Sequence, residues 1–445
     1  VWISTFTRNL QRQLDFELDR LFPEAEEKAR RVVIRKGREN YFCLLNFEES
    51  LSRNPKAAPG GWTALGLMAR WALNTRDGDM RGGDFPAWLK DLLGAGLTTD
   101  LTDTRGECIY SACRHYRRCF IEHTVRRAVG ADIVVANHAL VMIQAALGSF
   151  GGGGNGGPES GQPVRYVFDE GHHLFGAADS AFSAHLTGRE TAELRRWLIG
   201  AEEGSRSRSR GLRERIKDLI EGDDKAKEAL DEALKAARAL PARDWGKRLG
   251  GGEPQGTAEA FFALVREQVY ARDGNGGAFY SLECETGPPV DGLLDAAAKL
   301  DGALARLNKP LSALIGALAA LLDTDAEDLD TSTRTRIETV CRSLDRRGRQ
   351  QIGAWRNMLD ALPSETPPTE PNDDFVDWLS VDRIDGRDFD IGLHRHWVDP
   401  TRPFAEAVIT PSHGVLVTSA TLRDATGDQE ADWVAAEKRT GALHM

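Results

Sequence analysis

The chain has 445 residues, 41% of them hydrophobic and 28% charged, which excludes a disordered polymer and predicts two to four domains at roughly 100–200 residues each. Its 57 Lys and Arg against 68 Asp and Glu leave a net charge of −11, which excludes a uniformly basic nucleic-acid coat and confines such binding to local patches. No apolar run of about 18 residues and no signal peptide stand out, so no membrane partner is expected, and six unevenly spaced cysteines point to a reducing, cytoplasmic compartment with a metal site rather than a disulfide scaffold.

In chain order, the first element is the β-rich run 1–5 (VWIST). Three more such runs follow, at 133–137 (IVVAN), 164–169 (VRYVFD) and 415–419 (VLVTS). Near-continuous apolar runs of this length read as strands of one parallel sheet, buried on both faces. They are far apart, so large inserts must leave the sheet and rejoin it.

The first insert carries the cysteines. Cys108, Cys113 and Cys119 form C-x4-C-x5-C, and Cys43 lies 65 residues upstream of Cys108. Four thiolates suit a [4Fe–4S] cluster. Zinc is the rival, although structural four-cysteine zinc sites are built from tight cysteine pairs and Cys43 has no near partner; unrelated core cysteines are the remaining alternative. The same stretch is basic, with Arg114, Arg117, Arg118, Arg126 and Arg127 interleaved with His115, Tyr116 and Phe120. Positive charge mixed with aromatic rings suits single-stranded nucleic acid, and a solvated helix face is the plain alternative.

After the second strand, 148–163 holds eight glycines in sixteen residues and reads as a flexible surface loop. The third strand then ends in Asp169–Glu170–Gly171–His172. Two carboxylates at the C-terminal edge of a parallel sheet stand where ligands bind: Asp169 suits Mg²⁺, and Glu170 suits a water attacking a γ-phosphate.

From about 180 to 370 the apolar spacing becomes helical, as at Leu293, Ala297, Leu300, Leu304 and Leu307, again at Leu311, Leu314, Ile315, Leu318 and Leu322, and again at Ile337, Val340, Cys341 and Leu344. This predicts an α-rich domain, with 202–210 and 363–374 as exposed loops and Cys341 in its core. The fourth strand ends in Thr418–Ser419–Ala420–Thr421, hydroxyls able to bond both the acidic pair and a neighbouring loop.

Together, 36–43 (KGRENYFC), the C-x4-C-x5-C set, 135–138 (VANH), 169–172 (DEGH) and 418–422 (TSATL) resemble the DinG-type DNA helicases, members of the XPD-like iron–sulfur branch of superfamily 2. The opening 3–10 (ISTFTRNL) is similar to their first DNA-contacting motif. The resemblance implies a RecA-like α/β motor domain in three parts (1–37, 131–178, 386–445), an iron–sulfur domain at 38–130 and a helical arch at 179–385. It implies ATP hydrolysis driving 5′→3′ movement on single-stranded and forked DNA. Cys43, Cys108, Cys113 and Cys119 would hold the cluster, Asp169 would hold Mg²⁺, and Glu170 would activate water. His172, Thr418, Ser419 and Thr421 would couple nucleotide to DNA, and Thr5 and Thr7 would touch the DNA backbone.

Two departures qualify the expectation. No G-x-x-x-x-G-K-[ST] occurs, and the second motor domain that follows the third motif in this family is not recognised before Met445. The chain therefore reads as a fragment that is inactive alone. The rival is a non-motor, redox-sensing iron–sulfur module that binds nucleic acid on the same scaffold.

Overall fold

Residues that are hundreds of positions apart meet because five strands run side by side in one direction. In the computed structural model the described residues are 1–52, 61–103, 108–149, 165–202, 210–273, 279–324, 329–363 and 374–445. The glycine-rich stretch from 150 onward, and most of the loops expected at 202–210 and 363–374, lie outside them. In chain order the strands are β1 (Trp2–Thr5), β2 (Val32–Ile34), β3 (Ile133–Asn137), β4 (Arg165–Asp169), β5 (Ala184–Thr187), β6 (Leu282–Glu285), β7 (Phe375–Ile384), β8 (Arg387–Trp397) and β9 (Gly414–Thr418).

The first compact unit comprises Val1–Ala181 and Thr401–Met445. Its sheet has the order β2-β3-β1-β4-β9 and every pairing is parallel. It is an α/β unit compatible with a RecA-like domain. All four runs read from the sequence are present, and short β2 is an addition. The register sets Thr5 beside Asn137 and Asp169 beside Thr418, so the polar strand ends share one edge.

Alternation along the strands builds a core on each face. Val135 packs with Leu18, Phe22 and Val32 on one side, and Val134 packs with Val33 and Ala128 on the other. Burial on both faces does not extend to β9. It lies at the end of the sheet, and Leu416 in its middle is 60% exposed.

The cysteine-bearing region has its own small core of Phe42, Ala64, Met68, Trp71, Met80, Leu89, Leu93 and Leu101. The string at 36–43 straps it down. Lys36 forms a buried ion pair with Asp79, Asn40 Nδ2 donates to Gly37 O at 2.9 Å, and Phe42 is fully buried.

The second unit, Phe182–Pro400, is helix-rich around the helix Leu293–Thr324. The two leucine runs read on either side of Pro310 form one helix with a continuous seam, with Leu300, Leu304, Leu307, Leu311, Leu314 and Leu318 buried. Contrary to the expectation from composition, the part Leu293–Asp323 is long and apolar enough to cross a membrane by length and composition alone. Its seam here belongs to the same core as Leu230, Phe261, Trp355 and Leu344.

This unit also holds a four-stranded antiparallel sheet, order β5-β8-β7-β6, that the helical reading did not anticipate. β8 pairs with β5 and β7, so the unit runs to Pro400, beyond the boundary expected at 385. The β7–β8 turn is Asp385–Gly386 with φ of 51° and 73°, the left-handed pair that a two-residue hairpin needs.

Candidate functional site

The parallel edge of the first unit gathers most of the expected residues. β4 delivers Asp169, and the chain then turns sharply at Glu170, whose φ of 58° and ψ of 46° are left-handed for a residue with a side chain. Gly171 follows because nothing larger fits: a Cβ there would lie 2.2 Å from Val417 Cγ1 of β9. The turn thus folds tightly against β9 and throws His172 toward the Thr418–Thr421 segment.

Here the hydrogen bonds converge. His172 Nδ1 lies 2.7 Å from Ser419 Oγ and 3.3 Å from Thr421 Oγ1. Ser419 Oγ donates to Glu170 Oε2 at 3.4 Å, and His172 Nδ1 is 3.3 Å from the same carboxylate oxygen. Thr5 Oγ1 donates to Asp169 Oδ2 at 3.5 Å. Asp169, Glu170, His172, Thr5, Ser419 and Thr421 are therefore one cluster, with Thr418 paired beside Asp169. Thr7 stands apart from it in role: its hydroxyl accepts from Leu10 N at 3.2 Å and caps the helix Arg8–Leu21.

Three further residues join the cluster without having been assigned a role. His138, which follows β3, is 1% exposed and lies 2.8 Å through Nδ1 from Ser4 Oγ. Burial pushes its pKa down to about 4, partly opposed by the backbone of Glu170 and Asp169, so the ring is neutral at pH 7. Phe6 stacks on His173. A histidine directly after an apolar strand, and a second histidine after the acidic pair, were the signals for these contacts.

In the cysteine region, Cys43 precedes the helix Leu44–Ser52 and Cys119 caps the helix Phe120–Gly130. Burial pushes the Cys43 thiol up to about 12, opposed by the Asn46 N–H, and pushes Cys119 upward against the Glu122 N–H. Burial likewise raises Cys108, opposed first by the charge of Arg38, and Tyr110 N donates to Cys108 Sγ at 3.3 Å. The charge of Cys119 adds to the rise at Cys43, and the charge of Cys43 adds to the rise at Cys108. Cys113 lies between Cys108 and Cys119, at the end of the short turn Tyr110–Ala112.

Among the described residues, no three His, Cys, Asp or Glu side chains stand at metal-binding separation. What fits a cluster is the donor chemistry: thiols facing backbone N–H groups, beside a cation. Arg38 bonds Asp103 at 2.7 Å and Glu122 at 3.3 Å, lies over the Tyr110 ring and keeps a buried Nη2 with no partner among the described residues.

The basic patch is smaller than the sequence implied. Arg117 and Arg118 are exposed, and Arg114 is 69% exposed while paired with Glu48 at 2.8 Å. Arg126 lies over the Tyr116 ring and donates to Glu122 O. Arg127 is committed to the Ala29 and Val32 carbonyls, where it ties the helix Phe120–Gly130 to β2.

No family model matches the chain. It is 27% identical over 195 residues to the ATP-dependent DNA helicase YoaA of Haemophilus influenzae, covering 43% of this chain and 29% of that protein. It is 29% identical over 199 residues to YoaA of Escherichia coli, covering 44% and 29%. It is 31% identical over 180 residues to the ATP-dependent DNA helicase DinG of Photobacterium profundum, covering 39% and 25%. The aligned part thus spans under a third of each relative's length. Over that part, the chain is similar to ATP-dependent DNA helicases named DinG and YoaA.

Proposed function

We propose that the chain forms part of an ATP-dependent DNA helicase, in which hydrolysis at the Asp169–Glu170 turn drives movement along single-stranded DNA. The observation that carries this reading is the convergence of Asp169, Glu170, His172, Ser419 and Thr421 at the C-terminal edge of a parallel sheet, in a relative of DinG and YoaA.

Asp169 supplies carboxylate oxygens suited to Mg²⁺, which when bound neutralises charge on the phosphates. Glu170 orients the attacking water and accepts its proton. Its carboxylate is held by Ser419 and His172, so a shift of the Thr418–Thr421 segment changes how Glu170 is aimed. Thr5 links the first strand to Asp169. A second motor domain would add the transition-state arginine.

Cys43, Cys108, Cys113 and Cys119 hold a [4Fe–4S] cluster in this reading, and the second unit acts as the arch. Arg114, Arg117 and Arg118, with Thr7, take the phosphates of the strand, whereas Thr5, fully buried and donating to Asp169, is out of its reach. The polarity is 5′→3′ and forked DNA is the substrate, in the cytoplasm. The second reading is a non-motor iron–sulfur module that binds nucleic acid. Strand separation decides. The natural gene product carrying these residues is given forked duplexes with a single 5′ or 3′ tail and ATP. Unwinding from the 5′ tail supports the helicase; DNA binding without ATP-dependent unwinding of either supports the module.

A further inference from the structure

Phe6 follows β1 at the same edge as the acidic turn. Its ring stacks face to face on His173, with centroids 3.7 Å apart and planes 17° apart. His173 is itself backed by His172 at 4.0 Å. Although one side is covered in this way, Phe6 remains 44% exposed. A phenylalanine between two threonines on a strand-to-helix turn would ordinarily tuck into the core; here a neighbouring ring holds it out toward solvent in a fixed orientation. His172, its ring tilted 41° from that of His173, is the residue bonded to Ser419 and Glu170.

Such a surface fits one chemical class of ligand. A flat, preoriented aromatic face recognises an unpaired nucleobase, because every base has a π-face and stacking requires no base-specific hydrogen bonds. The exposed part of Phe6 is left to receive it.

We propose that Phe6 and His173 form a two-ring platform on which an unpaired nucleobase of single-stranded DNA stacks. The inference rests on the DNA-binding part of the reading above. It goes further in naming the base contact and in placing it, through His173 and His172, in van der Waals continuity with the acidic turn. The adenine of a nucleotide shares the same chemistry, and the experiment separates the two sources.

Residues 1–445 are titrated with a fluorescent thymidine oligonucleotide and with its abasic counterpart, which keeps the phosphates and lacks the bases. ADP serves as competitor. The wild-type chain should prefer the intact strand, with stacking on Phe6 accounting for about tenfold of that preference. Phe6→Ala should lose that tenfold while binding the abasic strand as before, Phe6→Trp should restore it, and His173→Ala should weaken it in the same sense. Melting temperatures of the variants serve as the folding control, since Phe6 is half in solvent. A tenfold effect on ADP competition instead would keep the platform and assign its base to the nucleotide. An unchanged preference for the intact strand in Phe6→Ala, with ADP competition also unchanged, would overturn the platform while leaving DNA binding intact. No binding of either strand by the wild type would overturn the DNA reading itself, and the platform with it.

Discussion

Ser419 Oγ stands 2.7 Å from His172 Nδ1, although 247 residues separate them. The same hydroxyl reaches Glu170, so Ser419 joins the end of β9 to a carboxylate and an imidazole of the acidic turn at once. Removing it should uncouple the two strands without disturbing the sheet. Ser419→Ala is expected to lower DNA-stimulated ATP turnover in the natural protein about tenfold or more, the equivalent of one hydrogen bond to a charged group. Turnover without DNA should change much less. Equal losses in both conditions would make Ser419 a structural residue only.

Gly171 is fixed by space rather than by backbone freedom. Its missing Cβ is the reason β4 and β9 can carry the turn, because Val417 Cγ1 occupies that place. Gly171→Ala should destabilise the first unit by about 1–3 kcal/mol, as overpacking does. Adding Val417→Ala should recover most of the loss. Urea unfolding of both variants tests this, and additive losses in the double variant would contradict it.

The second unit should lose stability in acid through His394. Its Nδ1 faces His185 Nδ1 at 2.9 Å and its Nε2 faces Ser380 Oγ at 2.8 Å. Burial, aided by the charge of His396, pushes its pKa down to about 4. A depressed histidine binds fewer protons in the folded state than in the unfolded chain, so its contribution is full above about 6.5 and falls as pH drops toward 4. The loss should reach about 1–3 kcal/mol. His394→Gln should flatten this part of the curve, measured as urea midpoints between pH 7.5 and 4.5. An acid limb as steep as in the wild type would assign it to other groups.

The cysteines make a compositional prediction. Protein prepared without oxygen should be brown and contain about four irons per chain, absorbing broadly near 400 nm. Cys113→Ser should lose the iron and loosen the small core around Phe42 and Met68, since metal binding and folding are coupled. Cys341→Ser, in the second unit's core, should keep it. Zinc at one per chain in place of iron would contradict the cluster.

The parallel sheet was legible because its strands are apolar at nearly every position and end in polar groups. The acidic turn was legible for the same reason. The antiparallel sheet was not, although its signal was present: β7 and β8 flank Asp385–Gly386 with alternating residues, and the helical spacing around them dominated the reading. Arg127 looked like part of a basic patch because sequence shows charge and not reach; its guanidinium is spent on two carbonyls nearly a hundred residues away. His138 had no role readable in the sequence, and only the fold shows it buried between Ser4 and the acidic turn. The exposed edge of β9 could not be read at all, since strand order is a property of the sheet and not of the strand.

The central claim is that Glu170 activates water in a DNA-driven motor, and ATP turnover with and without single-stranded DNA tests it most directly. The natural gene product carrying these residues should hydrolyse ATP faster with DNA, and Glu170→Gln should abolish that turnover while ATP still binds. DNA-stimulated turnover that survives Glu170→Gln would contradict the account.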